Sequence, residues 1–247
     1  MTRLETTYST IEWSSDGGFV TKTRLPAADA RRRFRNELRV NLLLSSHRPP
    51  VATPALVGHD ARRMSLTFVA VPGEPLGPKY PHDLPAAHVD ATVALAQRLR
   101  SYNPRRRWLR RFDSIRRLEL ARRAGLLTDE QTAELVAVSR RVHTRLRFAH
   151  GDVTARNVMH DRGHFVLIDW EWAGLYPDGY ELAFLWYTLV DHDRGRAHIE
   201  ALADGDKTAF LLSALLIQLW HLQWFLPPEF REKHLGTRDD LIARLIG

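Results

Sequence analysis

Residues 148–174 read FAHGDVTARNVMHDRGHFVLIDWEWAG. The residues from Val158 alternate like a strand, Asp161-Arg162-Gly163 supplies turn chemistry, and a second apolar run leads to Ile168. An antiparallel hairpin is the expectation. Its pairing brings the residue before the first strand, Asn157, beside the residue ending the second, Asp169. The preceding FAHGD exposes Asp152 in a loop near both.

That trio has a chemical use. A carboxamide and a carboxylate offer the oxygen ligands that suit Mg²⁺, which shares its shell with phosphates. A further carboxylate beside the metal can accept the proton of an attacking hydroxyl. Protein kinases place an Asp five residues before an Asn, with a metal-binding Asp following. From Asp152 to Asp193 there are eight acidic residues against two arginines, Arg156 and Arg162. A local acidic zone of this kind points to bound cations, metal or substrate.

HGDVTARN followed by LIDWEWAG resembles the aminoglycoside phosphotransferase family, and IDWEWAGLYPDGYELAFLW is similar to choline kinases. The resemblance implies an α+β, bilobal protein kinase-like fold: a small β-rich lobe over residues 1–71 and a larger helical lobe over 72–247. It implies ATP, or GTP, between the lobes and a hydroxylated small molecule as acceptor. By position, Asp152 becomes the base and Asn157 and Asp169 the Mg²⁺ ligands. His150 and Glu181 take supporting roles, holding and bracing the loop.

Such a fold demands a strand lysine and a helix glutamate in the first third. Lys22 lies in the strand-like FVTKTRL, and Glu37 is the one glutamate of the helix-patterned AADARRRFRNELRVNLLLSS. There Phe34, Leu38, Leu42 and Leu43 fall on one side and are expected to face the core. SLTFVAVPGEPL resembles the hinge whose backbone bonds the adenine, placed at Phe68, Val69, Ala70 and Val71. The start is short: TTYSTIEW is the first strand expected, so the lobe reads as truncated, with no glycine-rich loop before it. Gly17 and Gly18 in the next hairpin are the expected partial cover for the nucleotide.

Elsewhere the chain reads as mainly helical after the break VPGEPLGP. Helices are expected over 84–102, 114–125 and 127–146, the last capped by Thr128 with Gln131. Cysteine is absent, which removes disulfides, thiolate zinc sites and a cysteine nucleophile. The net charge is +7, yet only four residues are lysine, and arginines spread over many helices make a nucleic-acid partner unexpected. RRRWLRRF, residues 105–112, reads as a solvated helix face with Trp108 and Leu109 turned inward. The apolar run 210–226 is interrupted by Ser213, Gln218, His221 and Gln223, so a buried helix is expected and not a membrane span. The opening residues lack an apolar signal region, which suggests a cytoplasmic protein.

The acidic zone suggests a cationic acceptor, an aminoglycoside or another antibiotic. A choline- or sugar-type kinase is the alternative, with Trp170, Trp172, Tyr176, Tyr180 and Trp186 as candidates for a cation–π cage. A non-catalytic binding module is a further alternative. A protein kinase is disfavoured because no Ala-Pro-Glu follows Asp169.

Overall fold

The computed structural model describes residues 3–104, 108–142, 144–203, 207–224 and 231–247. The first lobe is a five-stranded antiparallel sheet in the order β1-β2-β3-β5-β4. Its strands are β1 (Arg3–Glu5), β2 (Ser9–Trp13), β3 (Phe19–Arg24), β4 (Leu56–Asp60) and β5 (Ser65–Val69). Helix α1 (Ala30–Ser46) packs beside it.

Two expectations are corrected here. The lobe does not lack its first strand: Arg3–Glu5 pairs with Thr10–Glu12. The residues Thr6–Tyr8, expected to be strand, form the turn between them, closed by the Thr6 hydroxyl donating to Ser9 O at 2.9 Å and accepting from Ser9 N at 3.1 Å. In α1 the buried stripe is Arg33, Phe34, Glu37, Val40, Asn41 and Leu44, while Leu42 is 50% exposed. The helix is rotated from the apolar reading because its inward face carries polar residues that pair across the site.

The segment read as an interlobe break contains β6 (Glu74–Pro75), which pairs with β8 (Val158–Asp161). The second lobe comprises α2 (Ala86–Ser101), α3 (Ser114–Arg123), α4 (Asp129–Val142), α5 (Tyr180–Thr188), α6 (Asp193–Leu202), α7 (Lys207–Trp224) and α8 (Arg231–Ile246). The expected capping box starts α4: Gln131 N donates to Thr128 Oγ1 at 3.1 Å and Thr128 N to Gln131 Oε1 at 3.0 Å. Helices α5 and α7 are buried nearly all round and form the centre of the core. Among the described residues no helix is long and apolar enough to cross a membrane. Of the basic cluster, residues 105–107 lie outside the described residues. Trp108 is 66% exposed and not turned inward, although Leu109 does pack on the core. Arg110 and Phe112 instead bond through their backbone to Leu175.

The decisive hairpin forms as read. β8 pairs with β9 (His164–Leu167) in the register Val158↔Leu167 to Asp161↔His164. Its two-residue turn, Arg162-Gly163, has φ of 46° and 84°, the left-handed pair that matches the strands' twist. Flanking it are β7 (Leu146–Ala149) and β10 (Gly174–Pro177), paired antiparallel.

Candidate active site

The hairpin delivers Asn157 and Asp169 to one end, and β7 delivers Asp152 through the His150-Gly151 loop. Asn157 Nδ2 donates to Asp152 O and to Asp152 Oδ2, both at 2.9 Å, so its carboxamide oxygen makes neither bond. Gly151 has φ of 81°, and a Cβ there would lie 2.7 Å from Trp172 O and from the Tyr176 hydroxyl oxygen. Only glycine fits this loop. His150 is fully buried and donates from Nε2 to Ile168 O at 2.9 Å, tying the loop to the strand that carries Asp169. Burial lowers His150 to about 4, so it is neutral and structural.

Glu181, at the start of α5, accepts from Gly151 N at 2.6 Å and braces the loop from below. Burial pushes this carboxyl up to about 8, against an ordinary 4.5 in the unfolded chain. The stability it contributes is therefore complete below pH 4.5 and is lost as pH rises through about 8. Across that window the wild type should lose ~1.4 kcal/mol per pH unit relative to Glu181→Gln, roughly 3–5 °C in Tm. Thermal melts of the two proteins over pH check this, and parallel curves would contradict it.

Lys22 and Glu37 meet as expected: Lys22 Nζ donates to Glu37 Oε1 at 2.9 Å and to Asp169 Oδ1 at 2.6 Å. Burial alone would lower the lysine, but Asp169 and Glu37 outweigh it and hold the ammonium above its ordinary value. Burial likewise acts to raise Asp169, and Lys22 overrides it, holding the carboxylate low. Asp169 itself sits at φ 66°, a left-handed conformation that turns its carboxylate back toward the sheet lobe.

Two more residues belong to this cluster and were not found in the sequence. Arg24 is 5% exposed and pairs through Nη2 with both Glu37 Oε2 and Glu171 Oε2. It lies two residues beyond Lys22 on β3, hence on the same face, which was an available signal. Glu171, 7% exposed, also faces Arg33 Nη1 at 3.5 Å, and its backbone oxygen accepts from Asn36 Nδ2 at 2.9 Å. Helix α1 is thereby fastened to the turn after Asp169.

Glu37, Asp169 and Glu171 bring carboxylate oxygens within 4.8 Å of one another. Lys22, Arg24 and Arg33 already neutralise that trio, so its donors suit a buried ion network. Asn157, Asp169 and Asp152 are different. Asp152 Oδ1 is buried without a hydrogen bond, and the Asn157 carboxamide oxygen is uncommitted to Asp152. Hard oxygen donors in this arrangement fit Mg²⁺.

Lys22, Arg24, Asp152, Asn157, Asp169 and Glu171 line one cavity of about 240 Å³ between the lobes. Its roof is the turn Thr6–Ser9, not the Gly17-Gly18 hairpin expected to cover it. The hinge residues are not brought to its wall. Phe68 packs with Phe34 and Leu66, and the Val69 and Ala70 amides donate to Ala55 O and Gly18 O; Val71 likewise lies off the cavity. Of the aromatic cage candidates, Trp172, Tyr176 and Tyr180 reach the cavity, while Trp170 and Trp186 are core.

Lys79 Nζ approaches Asp152 Oδ1 at 3.4 Å. Burial raises the Asp152 carboxyl and Lys79 opposes it, the net displacement being upward. A carboxylate so placed is a better proton acceptor than one in water. Of the acidic zone, Asp152, Asp169 and Glu171 reach the cavity and the others do not. Asp178 pairs with Arg100 at 2.7 Å and Arg147 at 3.6 Å, Asp191 lies 3.3 Å from His82, and Glu181 faces the loop.

The sequence profile of the phosphotransferase enzyme family matches residues 6–215, most of the chain, and the chain belongs to that family. No curated protein sequence matches it. Solved structures share the fold at low identity. The aminoglycoside phosphotransferase APH(4)-Ia aligns with a TM-score of 0.71 at 15% identity, covering 100% of this chain and 94% of that one. Choline kinase LicA from Streptococcus pneumoniae aligns at 0.66 and 11%, covering 99% and 95%. APH(2")-IIa in a ternary complex with streptomycin and ATP aligns at 0.63 and 14%, covering 100% and 93%.

Proposed function

We propose that this member of the phosphotransferase enzyme family transfers the γ-phosphoryl group of ATP to a hydroxyl of a small molecule, with Asp152 as the base. The observation that carries the reading is the convergence of Lys22, Asp152, Asn157 and Asp169, from both lobes, on one cavity. Lys22 holds the phosphates, with Glu37 fixing its position at 2.9 Å. Asn157 and Asp169 would hold Mg²⁺, which neutralises phosphate charge when bound. Asp152 accepts the hydroxyl proton as the acceptor oxygen bonds to the γ-phosphorus. The bond to the β-phosphate breaks and ADP departs.

The roof turn Thr6–Ser9 closes over the phosphate side of the cavity in place of a glycine-rich loop. ATP in the APH(2")-IIa complex supports a nucleotide co-substrate, and the fold shared with choline kinase LicA and the aminoglycoside phosphotransferases supports a small-molecule acceptor. The intact ion network around Lys22 disfavours a non-catalytic module.

Lys22→Met is the test of the lobe assignment. Removing one donor to the transferring phosphoryl group should lower kcat/KM for ATP by ~10²–10³-fold. Methionine fills the volume but leaves Asp169 and Glu37 without their ammonium, so a thermal melt of the same preparation establishes that the kinetic loss is read on folded protein. Steady-state ADP release over a range of Mg·ATP checks it, and unchanged parameters would refute the assignment.

A further inference from the structure

The charges on the acceptor side of the cavity do not suit a polycation. Six cationic residues line the cavity: Lys22, Arg24, Arg33, Lys79, Arg117 and Arg156. The first three are matched by Glu37, Asp169 and Glu171, as described. Of the other three, Lys79 pairs with the remaining lining carboxylate, Asp152, at 3.4 Å, while among the described residues Arg117 and Arg156 pair with no carboxylate within 4.0 Å. The half of the cavity beyond Asp152 is therefore net positive, although the chain's acids are densest in this part of the sequence.

Arg117 is central to this half. Its guanidinium lies 4.2 Å from the Trp220 ring centroid and 4.7 Å from that of Phe112. Among the described residues it has no carboxylate within 4.0 Å. Stacking on rings fixes the plane of the guanidinium while leaving its N–H edge available, the arrangement that suits bidentate capture of a carboxylate. Lys79 stands across the cavity beside Asp152, also lying 5.6 Å from the Phe184 ring. Tyr176 and Tyr180 complete an aromatic wall. The cavity volume of about 240 Å³, shared with the terminal phosphates, suits a small acceptor.

We infer that the acceptor is a small hydroxylated carboxylic acid, its carboxylate seated on Arg117 and its hydroxyl presented to Asp152. The inference rests on the phosphotransferase reading and narrows it: a cationic aminoglycoside or choline would meet Arg117, Arg156 and Lys79 with like charge. Arg117 acts here as a positioning group, holding the acceptor while Asp152 takes its proton.

The test uses matched probes on the full chain. Para-hydroxyphenylacetate, its amide and tyramine share a ring hydroxyl and differ in the charge of the tail. γ-Hydroxybutyrate, its amide and aminobutanol make an aliphatic set. Each is titrated calorimetrically into the protein with saturating Mg·ADP. The expected result is binding of the carboxylate member of at least one set about tenfold or more tighter than its amide and amine, the effect of a charge-assisted pair. Arg117→Gln, which keeps an unbranched polar side chain but removes the charge, should abolish that preference, and Arg117→Lys should retain part of it. Equal binding within both sets, no binding by any probe, preference for the amines, or a carboxylate preference untouched by Arg117→Gln would each overturn the inference. Mg·ADP titrated alone separates the two readings. Failure to bind nucleotide counts against the phosphotransferase reading, whereas normal nucleotide binding with an indifferent probe set overturns the acceptor assignment alone.

Discussion

Asp152→Ala should lower kcat by roughly 10²–10⁴-fold, the usual contribution of a positioned general base. The KM for ATP should change little, because the nucleotide-side groups, Lys22 and Asp169, do not depend on Asp152 for their contacts. Folding should survive. The Asp152 carboxylate is held at a cost, since burial raises its pKa against the pull of Lys79, so its removal relieves desolvation. Asn157 keeps its bond to the backbone oxygen of residue 152. Steady-state kinetics and a thermal melt on the same preparation check both halves. A folded variant with wild-type kcat would show that the proton leaves by another route.

The largest loss of stability is expected at Arg24. Its guanidinium joins β3 to α1 through Glu37 and to the turn after Asp169 through Glu171. Removing one partner of a buried ion network leaves uncompensated charge, at ~3–5 kcal/mol. For a chain of this length Arg24→Ala should lower Tm by roughly 6–20 °C. The sign of its pH dependence follows from Glu171, whose carboxyl is raised by burial and by Asp169. Without Arg24 it is raised further and protonates more readily, so the deficit should shrink on acidification. Adding Glu171→Gln to Arg24→Ala should restore part of the loss, because the two residues share one interaction. Melting curves of the single and double variants decide this; additive losses would contradict the coupling.

What could be read from the sequence divides along physical lines. The hairpin 158–167 was legible because strand alternation and an Arg-Gly turn are local signals, and its register then carried Asn157 and Asp169 to one end. Lys22 and Glu37 followed once that motif demanded partners. β1 was missed because all three of its residues are exposed and show no alternation. The roof turn was missed because hydroxyl bonds of Thr6, not glycines, shape it. Leu42 was turned inward on an apolar count, whereas the buried stripe of α1 runs through Arg33, Glu37 and Asn41. Glu171 lies between two tryptophans in a short 3-10 turn, where no periodicity sets orientation. The acceptor half was least legible. Lys79, Arg117 and Trp220 come from separate parts of the second lobe, and no local pattern links them.

The most direct test of the central claim is to follow ATP radiolabelled in its γ-phosphate with Mg²⁺ and the hydroxy-acid probes. Label should move from ATP to an acceptor, with ADP formed in step, in the wild type and not in Asp152→Ala. Equal label transfer by both proteins would contradict the role given to Asp152. Nucleotide bound with no label transferred to any hydroxylated acceptor, cationic antibiotics and choline included, would contradict the phosphotransferase reading itself.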